Sequence, residues 1–370
     1  MLADASRARQ STVIRGGGTK IGWGRVPVAV DLVVDTTRLD RLVAHRHEDM
    51  TATVQAGVGL AALNRRLAEH DQRLPVESAF EGTTVGGLLA TNDAGPLRHR
   101  YGTPRDLLIG VTLALADGRI VKAGGTVVKN VAGYDLGKLV CGSHGTLAAI
   151  VDATFKLLPV PRASATLVAS YADTDELARD AAALAGSQVE LMAFDLRMSE
   201  RTGLQLLVRL ASSPVATAAL TREAKQVLSA QTLVVTSGAE QDLWAEQIRL
   251  PWAGQAAVVR LSWRPSDLPQ VVSLVRRLTR AGCGPITLVG RIAGAGLLRF
   301  QGDARAVAAS IADLRASALV GHVVLLRGSR ELKDLVDVWG PDPGGAAAAA
   351  RALKRMFDPS GILGAGRGAI

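Results

Sequence analysis

The stretch that decides the fold runs from Glu81 to Gly102 and reads EGTTVGGLLATNDAGPLRHRYG. Its glycines reduce side-chain bulk, and short hydroxyl and amide side chains lie between them. Glycine lets main-chain N–H groups approach a ligand closely, and several such groups together form a concavity that binds anions. The composition is therefore typical of an anion-binding segment. An ordinary glycine-rich surface loop is the alternative, and this segment alone does not separate the two.

A second glycine run lies upstream, where Thr12 to Lys20 reads TVIRGGGTK. A short apolar strand is followed by Arg15, three consecutive glycines and Thr19. Three glycines allow a turn whose N–H groups all face one way, as in sites that hold a diphosphate. The run lacks the Gly-Lys-Ser/Thr ending of a P-loop and the Gly-x-Gly-x-x-Gly pattern of the dinucleotide fingerprint. Two such segments in one chain predict one diphosphate held between them.

Composition limits the class of protein. The chain has 370 residues, enough for two domains, and 48% of them are hydrophobic while 4% are aromatic, which predicts a core of Ala, Val and Leu. The formal net charge is +9. The arginines are scattered, without a basic run interleaved with aromatic residues, so an anionic cofactor, an acidic protein partner or an anionic membrane surface is favoured over nucleic acid. Biased codon usage is the alternative explanation.

The cysteines and the apolar segments exclude two further classes. Cys141 and Cys283 are the only cysteines, which excludes a cysteine-ligated iron–sulfur cluster within the chain, since such clusters need about four cysteines. The first residues, MLADASRARQ, contain no apolar core of signal-peptide length, and no run of about 18 apolar residues occurs. We therefore expect a cytoplasmic protein.

Local patterns in residues 1–161 predict the elements of a first domain. Alternation predicts a strand from Met50 to Ala56, and the leucines of LAALNRRLAEH recur at helical spacing, which predicts a helix ending near His70. Asp117-Gly118 lies between two apolar runs and is a hairpin signal. Pro159-Val160-Pro161 predicts the domain boundary. We also expect a strand at 26–34, a turn into a short helix at 35–39, a strand at 106–115 and a strand ending at Pro159.

Residues 162–339 have a different pattern, in which strand-like and helix-like segments alternate. This predicts a single α+β domain with an antiparallel sheet and helices on one face. Residues 340–370 begin with a Pro/Gly linker, continue as an alanine-rich helix from Ala346 to Phe357, and end in the glycine-rich segment ILGAGRG. We expect this tail to pack back on the first domain.

Four segments together resemble a known family. TVIRGGGTK, PVESAFEGTTVGGLLATNDAG with RHRYG, VKNVAGYDLGKLVCGSHGTLAAI and LKRMFDPSGILGAGRG are similar, in this order, to the motifs of FAD proteins of the vanillyl-alcohol oxidase or PCMH type. Within that family they most resemble the FAD-binding subunits of bacterial glycolate oxidases. The resemblance covers nearly the whole chain. It implies an α+β fold, with a PCMH-type FAD-binding domain of two α+β subdomains followed by a small ferredoxin-like cap domain.

The resemblance also implies a set of FAD-binding residues. The first glycine run would meet the diphosphate, the second segment would close on the diphosphate and the ribityl chain, and a third would meet the flavin and the adenine. The positions that match are Arg15, Gly16, Gly17, Gly18, Thr19, Lys20, Thr84, Val85, Gly86, Gly87, Ala90, Asn92, Gly95, Gly145, Thr146 and Ile150. Several relatives bond FAD covalently through a histidine or cysteine, where this chain has Thr19 or Lys20, so we expect non-covalent FAD.

The chain departs from the family in two places. Relatives that oxidise 2-hydroxy acids carry histidines, an acidic residue and a substrate-binding arginine on the second domain, whereas His322 is the only histidine between Arg162 and Trp339. The catalytic residues therefore stay unknown. Only about a dozen residues precede the first glycine run, fewer than in relatives. We expect either a start codon placed too far downstream or a lost element that weakens FAD binding.

Other residues are candidates with a structural alternative. His45 and His47 are expected in a solvated loop rather than at a metal, and no metal is predicted. His99 and His144 lie inside the flavin motifs. Lys129, Asn130, Tyr134 and Asp135 either approach the flavin edge or support their loop, the second being favoured, and Arg260 and Arg264 beside Trp263 form either a carboxylate clamp or a surface pair.

Three functions follow from the resemblance. The first is an FAD-binding, electron-relaying subunit of a glycolate oxidase or dehydrogenase of glyoxylate metabolism. It would act with a larger FAD subunit and an iron–sulfur subunit, on the inner face of the membrane or in the cytoplasm. The second is a self-sufficient FAD-dependent dehydrogenase of another 2-hydroxy acid or alcohol. The third is a non-catalytic assembly subunit.

Overall fold

The computed structural model describes residues 1–126, 133–280, 282–341 and 345–368. The chain divides into two compact units. The first unit comprises Met1–Gly95, Tyr101–Val160 and Pro341–Ile370, and the second comprises Pro96–Arg100 and Pro161–Gly340.

The elements of the described chain are numbered in chain order. The strands are β1 (Thr12–Arg15), β2 (Leu32–Asp35), β3 (Leu42–Arg46), β4 (Thr51–Gln55), β5 (Gln72–Arg73), β6 (Leu108–Ala114), β7 (Ile120–Gly124), β8 (Ala149–Lys156), β9 (Leu158–Pro159), β10 (Ala163–Tyr171), β11 (Ala193–Ser199), β12 (Gly203–Ser212), β13 (Thr232–Thr236), β14 (Ala257–Ser262), β15 (Ile286–Arg291), β16 (Ala295–Phe300) and β17 (Val323–Arg327). The α-helices are α1 (Leu2–Arg7), α2 (Leu60–Ala68), α3 (Val85–Thr91), α4 (Arg98–Tyr101), α5 (Pro104–Leu107), α6 (Leu136–Val140), α7 (Thr174–Ala185), α8 (Pro214–Val227), α9 (Ser237–Arg249), α10 (Leu268–Arg280), α11 (Ala304–Ala316), α12 (Arg330–Leu335) and α13 (Ala346–Phe357).

The first unit is built on an antiparallel sheet in the order β3-β4-β8-β6-β7. Helix α2 buries Leu60, Leu63 and Leu67 in the core of this unit, so the predicted helical spacing is confirmed. The predicted hairpin is also confirmed, since β6 and β7 pair around Asp117-Gly118 with Ala114 opposite Ile120. A separate parallel pair, β1 and β2, carries the first glycine run directly after Arg15.

The C-terminal tail returns to the first unit. Leu363 forms a parallel bridge with Thr12 of β1, and the Thr12 N–H donates to the Ile362 carbonyl at 2.7 Å. The tail therefore extends the β1–β2 pair on the side away from β2.

Three local predictions in the first unit differ from the structure. The strand expected at 26–34 is confined to β2, because Pro27 has no N–H and the Val28 N–H donates to the tail carbonyl of Ala365 at 3.1 Å. No short helix follows Asp35, because its Oδ1 accepts the Thr37 N–H at 2.8 Å in a turn, after which the chain enters β3. In addition, the strand expected from Asp106 begins at Leu108, since Pro104–Leu107 is helical.

The second unit contains two copies of one strand–helix–strand–strand–helix–strand arrangement. Its described strands form one sheet in the order β13-β10-β12-β11-β15-β16-β14-β17. The first repeat, β10 to β13, and the second, β14 to β17, each have the ferredoxin-like order, and they join where β11 pairs antiparallel with β15. The domain predicted as one ferredoxin-like module is thus a tandem of two.

The expectation of helices on one face is wrong for α9. Helices α7, α8, α10 and α11 share one large core with strand residues such as Leu167 and Phe194. Trp244 of α9 packs instead against Val168 and Ala193, which are adjacent in sequence to Leu167 and Phe194. Because neighbouring strand residues point to opposite faces, α9 covers the other side of the sheet.

Candidate functional site

The first unit contains a cavity at the first glycine run. Its lining residues come from β1, the glycine turn, the start of α3, the loop before β8 and the tail. They are Ile14, Arg15, Gly16, Gly17, Gly18, Thr19, Lys20, Ile21, Thr36, Thr84, Gly86, Gly87, Ala90, Thr91, His144, Gly145, Ala148, Ile150 and Arg367. The two glycine segments singled out in the sequence therefore meet at one cavity.

The glycine turn needs glycine because another segment passes close to it. A Cβ at Gly16 would lie 2.2 Å from Thr84 Oγ1, and a Cβ at Gly17 would lie 1.9 Å from the Gly82 carbonyl oxygen. Gly18 has a φ of +69°, which side chains with a Cβ rarely adopt. The close approach brings main-chain N–H groups of the turn beside the start of α3.

The second segment is a helix start rather than a glycine loop. Thr84 caps α3, and its Oγ1 accepts the Gly87 N–H at 3.3 Å and the Gly17 N–H at 3.5 Å. One hydroxyl thus connects the helix start to the glycine turn. Gly86 lets α3 approach the end of β4, because a Cβ there would lie 2.9 Å from Ala56 Cβ.

Lys20 connects the glycine turn to the Glu81–Gly102 stretch. Its buried ammonium lies 3.2 Å from Asp93 Oδ2 and 3.2 Å from Thr83 Oγ1, and 5.4 Å from the centre of the Phe80 ring. Burial lowers the pKa of Lys20, while the Asp93 charge opposes that shift. Because a carboxylate already balances its charge, Lys20 serves mainly to hold the two segments together.

Arg15 forms an exposed ion pair across the β1–β2 register. Its Nη2 lies 2.9 Å from Asp35 Oδ2. The pKa of Asp35 falls to about 2, first because the Thr37 hydroxyl and N–H donate to the carboxylate and then because of Arg15. The pair holds the end of β1, and hence the start of the glycine turn, against β2.

Four residues expected at FAD do not line this cavity. Val85 is fully buried in the core, and Asn92 ends α3 in the left-handed region with its Oδ1 accepting the Arg105 N–H at 3.3 Å. A Cβ at Gly95 would lie 2.6 Å from Glu77 Cβ, and the Thr146 carbonyl accepts Lys354 Nζ at 2.7 Å. Local packing, capping or a tail contact accounts for each of these four residues.

Several lining residues were not predicted, and Arg367 is the most distant in sequence. Its Nε donates to the Trp23 carbonyl at 3.2 Å, and its Nη2 donates to the carbonyls of Ile21 at 2.7 Å and Lys20 at 3.2 Å. The side chain is buried, and burial lowers its pKa. No local pattern marks Arg367, because only the return of the tail brings it to the cavity. The other lining residues that were missed are Ile14, Ile21, Thr36 and Ala148.

The histidines of the flavin-like motifs lie in different units. His144 lines the cavity with a φ of 55°. His99 groups with the second unit, where its ring lies 6.0 Å from the Phe194 ring. Burial, and then the Arg100 charge, lower the pKa of His99. His99 is not a lining residue of the described cavity.

The remaining candidates lie away from the cavity. The rings of His45 and His47 gather with that of His70 at centroid distances of 4.3 to 6.1 Å, yet among the described residues no group of His, Cys, Asp or Glu could hold a metal ion. Tyr134 is exposed, and Asp135 caps α6.

Three further expectations concern residues elsewhere. Arg260 and Arg264 are exposed, and His322 is also exposed, with its carbonyl accepting the Ser262 N–H at 3.2 Å. Lys129 and Asn130 fall outside the described residues. Within the part of the chain that the structure describes, no helix has the length and apolar character needed to cross a bilayer.

Comparisons with known proteins agree with this geometry. A family model described as an FAD binding domain matches residues 1–124. Glycolate oxidase subunit GlcD of Bacillus subtilis is 36% identical over 180 residues, which cover 48% of this chain and 38% of that protein. D-lactate dehydrogenase of Archaeoglobus fulgidus is 39% identical over 149 residues (40% and 33%), and glycolate oxidase subunit GlcE of Escherichia coli is 36% identical over 157 residues (42% and 44%). The chain thus spans less than half the length of each of these relatives.

A solved structure extends the likeness of fold. Alkyldihydroxyacetonephosphate synthase matches 98% of this chain and 74% of its own, with a TM-score of 0.71 and 14% sequence identity. At that identity the match concerns the fold alone. The α+β fold and FAD as the cofactor are confirmed, and the matched part of the chain is similar to FAD-binding oxidoreductases. Glycines line this cavity, and glycine lets main-chain N–H groups approach an anion such as a diphosphate closely.

Proposed function

We propose, on the premise that residues 1–124 form an FAD-binding domain, that this chain is a subunit of a glycolate oxidase or dehydrogenase, which converts glycolate to glyoxylate. The observation that carries the proposal is the cavity in which the glycine turn meets the start of α3. The matches to GlcD and GlcE support the choice of glycolate over other alcohols.

FAD, when bound, accepts the two electrons that leave glycolate as its alcohol carbon becomes a carbonyl carbon. The residues of this chain would hold the cofactor. The glycine turn and the Thr84-capped start of α3 would receive the diphosphate, and Ala90, Gly145 and Ile150 would line the remainder of the cavity. No residue of the described cavity is assigned as the base.

The substrate carboxylate needs a cation, and three arginines on the α9 face of the second unit already have carboxylate partners. Arg291 lies 2.6 Å from Asp195. Arg209 lies 3.1 Å from Glu240, and Arg197 lies 3.4 Å from Glu246. This pairing supports a division of labour in which a larger FAD subunit binds the hydroxy acid. An iron–sulfur subunit would carry electrons onward, since this chain has two cysteines.

The test begins with FAD. The purified chain is incubated with FAD, passed through gel filtration, and scanned for flavin absorbance, after which glycolate is added without oxygen. We expect retained flavin that glycolate bleaches only when the partner subunits are co-expressed. A chain that never retains FAD would contradict the proposal, and one that glycolate reduces rapidly on its own would contradict the division of labour.

A second candidate is a self-sufficient dehydrogenase of another 2-hydroxy acid. The 39% identity to D-lactate dehydrogenase and the 32% identity to D-2-hydroxyglutarate dehydrogenase of Xanthomonas citri favour it. Bleaching of the isolated flavin by D-lactate or D-2-hydroxyglutarate, but not by glycolate, would select this function.

The proposed complex would lie in the cytoplasm, on the inner face of the membrane. A net charge of +9 favours contact with anionic surfaces. Sedimentation of the complex with vesicles containing anionic lipid, and its loss in high salt, is the expected result. Equal sedimentation with neutral vesicles would contradict an electrostatic contact.

A further inference from the structure

We propose that Arg367, near the end of the C-terminal tail, is a positioning residue for FAD. It would hold the turn that follows the glycine run in the conformation that receives the diphosphate, and place positive charge on that wall of the cavity. The inference rests on the proposed binding of FAD, and it concerns a residue about 350 positions from the glycine run.

The tail is anchored before it reaches the cavity. Lys354 of α13 donates through Nζ to the Thr146 carbonyl at 2.7 Å and to the Leu363 carbonyl at 2.8 Å, and it pairs with Asp358 at 2.7 Å. Asp358 in turn accepts the N–H groups of Ile362 at 3.1 Å and Leu363 at 2.7 Å. A buried carboxylate and an ammonium therefore fix the bend that follows α13.

The backbone beyond this bend joins β1. The Gly364 N–H donates to the Thr12 carbonyl at 2.8 Å, and Gly364 and Gly366 have φ angles of +55° and +74°. These two residues in the left-handed region turn the chain. Gly366 must also lack a side chain, because a Cβ there would lie 2.7 Å from a Val28 methyl group. The turn delivers Arg367 to the cavity with 5% of its surface exposed.

Arg367 contacts the cavity wall at the turn that follows the glycines. Its three carbonyl acceptors belong to Lys20, Ile21 and Trp23. The guanidinium has a fixed planar set of donors, so three such bonds define the path of this turn better than one would. Arginine stays protonated in proteins, and a cation on the wall of a cavity favours an anionic ligand.

Arg15 and Lys20, the other Arg or Lys residues of the lining, are each paired with a carboxylate. Their charges are therefore balanced locally by Asp35 and Asp93. Arg367 donates to three main-chain carbonyl oxygens that define the turn, whereas Arg15 makes an exposed ion pair, so removal of Arg367 should alter cofactor binding more than removal of Arg15.

The test uses the full-length chain with Arg367→Met, Arg367→Lys and, as a matched control, Arg355→Met, since Arg355 is exposed on the helix that precedes the tail. The dissociation constants of FAD and of riboflavin, which has no phosphate, are measured by fluorescence titration. We expect Arg367→Met to weaken FAD by about 10- to 100-fold and riboflavin by less than about 3-fold. The dissociation constant of FAD for Arg367→Lys should lie between those of the wild type and Arg367→Met. The control Arg355→Met should have the wild-type value.

The outcomes separate the two proposals. Wild-type protein that does not bind FAD would contradict the proposed function. Wild-type protein that binds FAD while Arg367→Met binds it equally well would overturn only the inference about Arg367, as would an equal loss of FAD and riboflavin. If Arg367→Met does not fold, Arg367→Lys decides: wild-type affinity for FAD overturns the inference, and selective loss of FAD over riboflavin supports it.

Discussion

Glycines bring groups unusually close in both units, but with opposite results. In the first unit, a Cβ at Gly17 would meet the Gly82 carbonyl at 1.9 Å, and the contact borders a cavity. In the second unit, Gly290 and Gly296 face each other across β15 and β16, where a Cβ would lie 3.1 Å and 2.8 Å from the Trp263 ring. There the space left by glycine is filled by an indole.

The space beside glycine therefore has a different role in each unit: it can bind a ligand in the first and contributes to stability in the second. Empty space beside the backbone is available to a ligand, whereas a filled space contributes only packing energy. We therefore expect changes at Trp263 to act on unfolding alone and changes at Gly17 to act on both unfolding and FAD binding. Four substitutions test this expectation, with progressively smaller effects.

The largest effect is expected from Trp263→Ala. Trp263 is 6% exposed and belongs to the main core of the second unit, so its loss should lower the free energy of unfolding by about 3–5 kcal/mol. Urea unfolding followed by circular dichroism measures this change. FAD affinity of the folded variant should stay at the wild-type value, because the residues that line the described cavity belong to the first unit.

Trp263→Phe serves as the control. The indole Nε1 is buried without a hydrogen-bond partner among the described residues, so phenylalanine removes volume but leaves no new polar group unsatisfied. Trp263→Phe should lower the free energy of unfolding by less than Trp263→Ala does. A drop in FAD affinity with either variant would contradict the expectation that changes at Trp263 act on unfolding alone.

Gly17→Ala should come next. The added Cβ cannot fit 1.9 Å from a backbone oxygen, so the turn or the segment at Gly82 must move. Overpacking of this kind costs about 1–3 kcal/mol, and we expect FAD to bind at least about 10-fold more weakly. Gly22→Ala is the matched control, because a Cβ there has no atom within 4 Å. Equal effects of the two substitutions would contradict the close-approach explanation.

Local periodicity predicted the elements that depend on local burial. The leucines of α2 repeat every three to four residues, and this spacing predicted the helix. Helix α9 lacks a comparable apolar repeat. Besides Trp244 it buries Glu240 and Gln247, which bond to the sheet through Thr166 and Asp195, so its contact face is partly polar and carries no continuous apolar stripe.

The cavity was predictable only where its residues are close in sequence. The glycine turn is a continuous segment, and both its composition and the family resemblance indicated an anion site. Thr36 and Arg367 reach the cavity through long-range pairing with β1 and the tail, which no short pattern encodes. Conversely, Gly95 and Asn92 look like ligand contacts in sequence, but Gly95 is explained by Glu77 and Asn92 by the end of α3.

Thr84→Val should have a smaller effect on stability than Gly17→Ala. It removes the Oγ1 acceptor that the Gly87 and Gly17 N–H groups share. Loss of such a helix cap costs about 1 kcal/mol. Because this hydroxyl connects the two glycine segments, FAD affinity should also fall, which titration with FAD would measure. Thr84→Ser keeps the hydroxyl and should behave as the wild type; a serine variant as weak as the valine variant would show that the methyl group, not the cap, matters.

The smallest effect is expected at the exposed Arg15–Asp35 pair, and it should depend on pH. The pKa of Asp35 is lowered from 3.8 to about 2, so the folded state favours the ionised carboxylate. A lowered pKa contributes stability that is present above pH 3.8 and disappears as the pH falls from about 3.8 to about 2. The melting temperature of Asp35→Asn should therefore lie slightly below that of the wild type at pH 7, and the two should converge toward pH 2. Asp40→Asn, at another exposed position, is the control. Since the Thr37 hydroxyl is the largest cause of the shift and valine keeps the N–H, Thr37→Val should reproduce part of the loss, and a persistent difference at pH 2 would show that Asp35 acts by packing rather than by charge.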